Sequence, residues 1–506
     1  MTEATSRQID DFLAALFAVE RAWALLDAGD AEGAVREGAS AQVLTRAAAM
    51  LGPTDPDRAH RLLEQAVTLT APPAPTQFAL SRSFRARGEE EHASLWLRGA
   101  MLRTRPDAAL LLELAAIETD HADTIVRAAL SFPCRDAAIA ADAASALVAY
   151  GKLKPARIAG TIAFEAGARD GDFLALYSDL LANPDLLDEP PLPEGPLGMP
   201  HWWQVAASAA QARLAGAFPP APLIARAQAR EASDRWVASD RLGTVLKGRI
   251  DAGEPFSWIR LGDGEGRFLM HRYAELRGTL PAREAAAMAK QIWYAWFGQD
   301  LDMVAPEALA ALGARFEQAI GKADLLGVTS AERLAGDPLH YGFCAGLETY
   351  LATLPEHPGR MLCDALAPLA LNRRDPFLGS LLRGRDFLGV VGPHPDLAAR
   401  LQRHLQIEAV ASYDLPGEAR LARLRDRQDG RVHFPIVHDE IMAALAVPHR
   451  GAVFLVAGGL LGKIYCDRIR ELGGIALDIG ALADAWMGYN TRGTAFDAAA
   501  AWPLPA

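Results

Sequence analysis

The pattern of apolar and polar positions changes character partway along the chain. From residue 8 to 182, Ala and Leu recur at helical spacing with almost no β-branched runs, broken by short turns at Gly29, Gly88 and Gly151. From about residue 256 short apolar runs alternate with amphipathic stretches. Strands are predicted at 256–262, 324–328, 387–391, 407–411, 452–457 and 475–479, and helices at 282–298, 306–320, 340–353, 395–406, 436–446 and 460–472. Such alternation predicts a mostly parallel sheet with helices on both faces. Between the two textures lies Asn183–Pro200, with prolines at 184, 190, 191, 193, 196 and 200, which cannot continue a helix. The expected division is 1–182, then a proline-rich linker with bridging helices over 183–236, then 237–506. One helix is expected from Leu223 to Ala252, and Trp202 and Trp203 are expected to pack as a bridge between domains rather than to serve as a sugar platform.

The first texture carries a repeat. Gly29, Gly88 and Gly151 are each followed five residues later by an alanine, Ala34, Ala93 and Ala156. The set Ala59, Leu63, Ala66 recurs as Ala93, Leu97, Ala100, a shift of 34 residues. That period belongs to tetratricopeptide-like (TPR-like) helical hairpins, which bury between neighbours what one hairpin cannot, and it favours an all-α stack of helix pairs over one globular bundle. The repeat is degenerate: the consensus aromatic and proline positions are not consistently filled, and the spacing drifts after residue 105. The expected role of such a stack is to bind another protein.

In the second texture the most informative stretch is Arg260-Leu261-Gly262-Asp263-Gly264-Glu265-Gly266, directly after an apolar run. On an extended backbone Asp263 and Glu265 project to one side, where two oxygen ligands suit Mg²⁺ or Mn²⁺, while Gly262, Gly264 and Gly266 leave room for a phosphate. Gly-Asp-Gly is equally an ordinary turn sequence. Further on, the run Val453–Ala457 breaks at Gly458-Gly459, continues as a helix through Leu472, and leads into Ile475–Ile479. This β-α-β unit points the first helical N–H groups above the sheet, the usual place for a phosphate, near Gly459, Gly462 and Lys463. It is not a Walker A loop, because only three residues separate Gly458 from Gly462 and Ile464 follows Lys463.

An R-x-G-D-G-E segment followed late by GG-x-x-G-K and G-G-I-A-L-D-I-G resembles the GT-D-type glycosyltransferases, over roughly residues 237–492. The resemblance implies an α/β Rossmann-like domain, a nucleotide-sugar donor such as a UDP-sugar, and Asp263 and Glu265 as the metal and diphosphate pair. It says nothing of the first half.

Composition narrows the setting. The chain has 506 residues, 51% of them hydrophobic, enough for two or more cores. No apolar run is long enough for a membrane span, and the polar, acidic start does not read as a signal peptide; a cytoplasmic protein is expected. Cys134, Cys344, Cys363 and Cys466 lack metal or disulfide spacing and read as buried thiols. A formal net charge of −12 argues against nucleic-acid binding.

Other residues complete the expected site. Asp478 ends the last strand as a candidate active-site carboxylate, Tyr489–Arg492 follow as a lid whose Arg492 neutralises diphosphate, and Arg260 pairs with Asp263 or phosphate. Ser330 reads first as a helix cap, His394 first as a turn residue, and Asp439 and Glu440 as first-turn acids with one a possible general base. Together these features predict a metal-dependent glycosyltransferase domain acting from a UDP-sugar on a protein or glycan acceptor recruited by the repeats. The alternatives are an inactive scaffold that only binds, or another Rossmann-type enzyme. An early G-x-G-x-x-G would favour the latter and is not met.

Overall fold

The computed structural model describes residues 17–492 apart from 39, 70–72, 106, 184–185, 187–198, 273–277, 337–339, 356, 358, 420 and 422–430, together with 14 and 503–505. Most of the proline-rich segment expected at 183–200 therefore lies outside the described residues. The chain divides into two compact units, Met1–Pro191 and Leu192–Ala506.

In the first unit all described regular structure is helical. Ala41–Leu51 pairs with Pro56–Leu69, Ala74–Ala86 with Glu90–Met101, and Ala137–Ala149 with Leu153–Glu165. The recurrent small residues are what allow this. Ala59, Leu63 and Ala66, and their counterparts Ala93, Leu97 and Ala100, are all buried. Gly29, Gly88 and Gly151 each take a positive φ, and the alanines five residues on are fully buried, so the motif couples a left-handed turn to a close helix contact. Asp30, Ser40, Asp107, Asp136 and Asp170 accept backbone N–H bonds at helix starts, which sharpens the boundaries.

The second unit holds a seven-stranded, all-parallel sheet: β1 Phe256–Arg260, β2 Leu325–Val328, β3 Met361–Asp364, β4 Phe387–Gly392, β5 Ala409–Asp414, β6 Val453–Val456 and β7 Ile475–Asp478. Their order is β3-β2-β1-β7-β6-β4-β5. Both faces are buried. Ile259, Leu326, Phe454 and Ala476 belong to one core, under the helices Ala282–Phe297, Pro306–Lys322 and Gly459–Glu471. Trp258, Leu325, Leu455 and Leu477 belong to another, under Leu242–Ala252, Ala367–Arg374 and Leu397–Leu405. Burial on two sides explains why the strands read as continuous apolar runs.

Three expectations are corrected. β3 has no counterpart in the sequence reading, because Met-Leu-Cys-Asp contains none of the β-branched residues that each of the other six strands carries. The single helix expected from Leu223 to Ala252 is two, Pro220–Glu231 and Leu242–Ala252. Between them Arg235 and Val237 bond to Leu362 and cover the outer edge of β3. The helix His201–Ala217 packs within the second unit against Ala282–Phe297, with Arg213 bonded to Glu284 and Trp203 edge-on to Tyr294. It is thus part of that unit's core rather than of a linker.

Candidate functional site

The winding of the sheet runs β1-β2-β3 one way and returns to β7 on the other side of β1, so the strand order reverses between β1 and β7. Open parallel sheets leave a crevice at the carboxyl ends at such a point. Here those ends carry Arg260 and Asp478.

The backbone does not stay extended through Asp263. A helix, Asp263–Arg272, begins there. Gly266 N–H donates to Gly262 O (3.1 Å), and Glu265 Oε2 reaches back to Gly262 N–H (2.8 Å), which is half of a capping box. Asp263 and Glu265, two apart in a helical turn, consequently point to different sides, and their partners are disjoint. Asp263 pairs with Arg267 Nη2 (3.0 Å) and Arg333 Nη2 (3.7 Å). Glu265 pairs with Lys463 Nζ (2.8 Å). In this arrangement the two acids do not fit a shared divalent cation, and among the described residues no group of three or more His, Cys, Asp or Glu is placed to hold one.

Lys463 lies in the helix that follows β6 and is buried between Glu265 and Asp478 (Nζ to Oδ2, 3.0 Å). Burial lowers the lysine pKa, but Asp478 and Glu265 outweigh it and hold it above its ordinary value. Asp478 shows the mirror case: burial raises it, while Lys463 and Arg260 prevail and keep it below the usual carboxylate range. Arg260 does not pair with Asp263, as expected, but with Asp478. Its backbone N–H donates to Oδ2 (3.2 Å), Nε to the Asp478 carbonyl (2.8 Å), and Nη1 to the Ala365 carbonyl (2.9 Å). Arg260, Glu265, Lys463 and Asp478 form a closed, self-compensating knot beneath the crevice.

The glycines serve packing. A Cβ on Gly264 would lie 2.6 Å from the Trp296 ring, and one on Gly266 2.7 Å from the Phe343 carbonyl. A Cβ on Gly459, which takes φ +55°, would lie 3.4 Å from the same indole, one on Gly458 3.1 Å from the backbone of Gly462, and one on Gly462 3.4 Å from Val456. The room that the sequence suggested for phosphate beside Gly264, Gly266 and Gly459 is occupied by protein.

At the mouth, Asp263, Arg267 and Arg333 are partly exposed. Burial raises the Asp263 pKa, but Arg267, His340, Arg333 and Arg492 outweigh it and hold the carboxyl below its usual range. Arg492 is held by Glu418 through two contacts of 2.7 Å. Alongside it Thr491 donates to Asp484 (2.8 Å), whose other oxygen meets His394 Nε2 at 2.7 Å, so the expected lid segment and His394 are tied down together. Ser330 accepts from Arg333 N–H as a helix cap (3.4 Å). Asp439 and Glu440 are exposed at the start of the helix His438–Ala444.

Several residues here escaped the sequence reading. Arg267 was legible as the i+4 partner of Asp263 once that stretch is read as a helix. Arg333, Glu418, Asp484 and Trp296 arrive from distant segments and carry no local signal. Of the cysteines, Cys344, Cys363 and Cys466 are buried and Cys134 half-buried, all as free thiols. Among the described residues no helix is long and apolar enough to cross a membrane.

No family model matches the chain, and no curated protein matches it. Among solved structures it is similar to YrrB, described as a TPR protein with an unusual peptide-binding site, at 13% identity and a TM-score of 0.22, over 35% of this chain and 90% of that one. At that score the likeness decides nothing about this chain, and the paired helices of the first unit rest on their own geometry.

Proposed function

We propose that the unit 192–506 is a glycosyltransferase domain of Rossmann-like, GT-D type that takes a sugar from a nucleotide-diphosphate donor, a UDP-sugar, and that the helical unit recruits its protein or glycan acceptor. The observation that carries this reading is the placement of Asp263, Arg267 and Arg333, partly exposed, above the reversal of strand order between β1 and β7. Departure of a nucleotide diphosphate builds negative charge on phosphate oxygens, and guanidiniums fixed beforehand at that place stabilise it where it develops. Asp478, locked by Lys463 and Arg260, serves to hold those two cations in the buried knot rather than to exchange protons with an acceptor. Asp263, Arg267, Arg333 and the segment ending at Arg492 are the groups that would meet the donor.

The test is thermal stabilisation of the full chain by a panel of UDP-sugars, NAD and S-adenosylmethionine, followed by sugar transfer or donor hydrolysis with whichever sugar nucleotide binds. Stabilisation by NAD or S-adenosylmethionine alone would replace this reading with another Rossmann-type enzyme. A second reading, a module that binds a sugar nucleotide without transferring it, is favoured by one observation: Arg260, Glu265, Lys463 and Asp478 compensate one another in charge. Binding without turnover of the sugar would select it.

A further inference from the structure

We propose that a second cavity of the α/β unit, apart from the crevice, binds a free α-amino acid with an apolar side chain, its carboxylate on Arg383 and its ammonium on Asp375. The cavity measures about 540 Å³ and is lined by Asp375, Phe377, Gly379, Ser380, Arg383 and His404. Phe377 packs on the core that holds Trp258 and Leu477, on the face of the sheet opposite Trp296. The site is therefore separate from the donor crevice and does not depend on the donor reading.

The backbone is built around this cavity. Phe377 and Leu378 both take left-handed conformations, at φ 60° and 55°, which residues with a Cβ rarely adopt. Two side chains fix them. Asn372 Oδ1 accepts from the Phe377 N–H and from the Trp486 indole N–H, both at 2.9 Å, while Asp375 accepts from the Ser380 N–H (3.0 Å) and hydroxyl (2.8 Å). Leu378 is thereby sunk in the core, and the Phe377 ring stays partly exposed as an apolar wall, edge-on to His404 and Trp486. Unfavourable backbone held this firmly is a mark of ligand clamps.

The charges supply the specificity. Among the described residues neither Asp375 nor Arg383 makes an ion pair, although both approach one point: a Cβ on Gly379 would lie 3.4 Å from Asp375 Oδ1 and 3.9 Å from Arg383 Nη2. Arg383 Nη1 donates to the His404 carbonyl (3.5 Å), which leaves Nη2 toward the cavity. Gly379 has a helical φ of −59°, open to any residue, so its missing side chain provides space rather than conformational freedom. Opposite charges that face each other across such a gap without touching match a ligand that carries both charges side by side. A free α-amino acid does so, with ammonium and carboxylate on one carbon, and an apolar side chain would lie along the Phe377 ring. An inorganic anion would satisfy Arg383 alone and would face the charge of Asp375.

The experiment is calorimetric titration of the full chain with L-leucine, L-methionine and L-phenylalanine, then with the N-acetyl and amide derivatives of the tightest of them, and with inorganic phosphate. At least one of the three should bind with a Kd below about 1 mM, and blocking either its ammonium or its carboxylate should weaken it about tenfold or more. Arg383→Gln and Asp375→Asn should each weaken the free amino acid to the same degree, the second keeping an oxygen for Ser380. Gly379→Val should abolish binding by filling the gap. Absence of binding by all three, equal binding of a blocked derivative, or binding unchanged in Arg383→Gln overturns the inference. Phosphate that binds as tightly as the amino acid and competes with it would show a simple anion site, which overturns it too. The comparison of free with blocked amino acids uses the unaltered chain and stays decisive if a variant fails to fold.

Discussion

Each unit buries a carboxylate against two cations, with opposite results. In the helical unit Glu113 is fully buried, with Arg85 Nε at 3.3 Å and Arg82 Nε at 3.9 Å, yet among the described residues neither of its oxygens accepts a hydrogen bond. Burial pushes its pKa up against both arginines. In the α/β unit Asp478 is as deeply placed but accepts from the Arg260 backbone and guanidinium and from Lys463, and its pKa falls. Depth is shared, so partners decide the sign. The source of the difference is the backbone. Glu113 sits in the helix Ala108–Ile117, whose N–H groups are spent on its own turns, whereas the strand end at Arg260 leaves an N–H free to bond a carboxylate.

The strongest way to break this contrast is to remove the cation that the α/β knot shares. Lys463→Met conserves bulk but leaves Glu265 and Asp478 facing one another in the interior. A loss of about 3 to 5 kcal/mol is expected. Hydrogen exchange of the β1 and β7 amides should report it, with the first unit's helices unchanged. A loss under about 1 kcal/mol would show that the two acids reach water or other donors without the lysine.

Acidity separates the units next. Burial depresses the His438 pKa to about 4, and the ring is hydrogen-bonded to Tyr465 (3.2 Å). Below its ordinary 6.5 the unfolded chain takes up a proton that the folded chain refuses, so stability falls as pH drops across that window, by up to about 3 kcal/mol. Urea denaturation of the α/β unit at several pH values measures the slope, which His438→Gln should flatten. An unchanged slope in that variant would assign the acid sensitivity to the carboxylates instead.

A smaller effect concerns what the sequence could and could not disclose. Strand positions, the paired helices and the turn glycines with their buried alanines were readable because each rests on a period or a fixed offset. The meaning of Gly264 and Gly459 was not, because both make room for Trp296, a residue whose approach no local pattern encodes. Likewise Gly262-x-x-Glu265 is a helix-start signal that competes with the extended reading of the same letters, and the helix prevailed because Glu265 satisfies an N–H that a strand end would leave open. Gly264→Ala should therefore cost about 1 to 3 kcal/mol through overpacking, and Trp296→Ala should relieve part of that cost in the double variant. Additive losses in thermal unfolding would disconnect the two positions.

The smallest expected change sharpens the opening contrast most. A carboxylic acid whose folded pKa is raised keeps its proton after the unfolded chain has released it. Glu113 therefore favours the helical unit below its usual 4.5 and disfavours it as pH rises through the folded value, opposite in sign to His438. Glu113→Gln retains the shape and removes the charge. The variant should match the parent in acid and be more stable by about 1 kcal/mol at neutral pH, because burial disfavours the ionised acid that the unfolded chain carries there. Exchange protection of Ala108–Ile117 at the two pH values is the direct measurement. If the variant instead loses 2 kcal/mol or more at neutral pH, on the order of a charge-assisted bond, then Arg85 at 3.3 Å stabilises the ionised acid after all. The two units would then bury their carboxylates by the same rule.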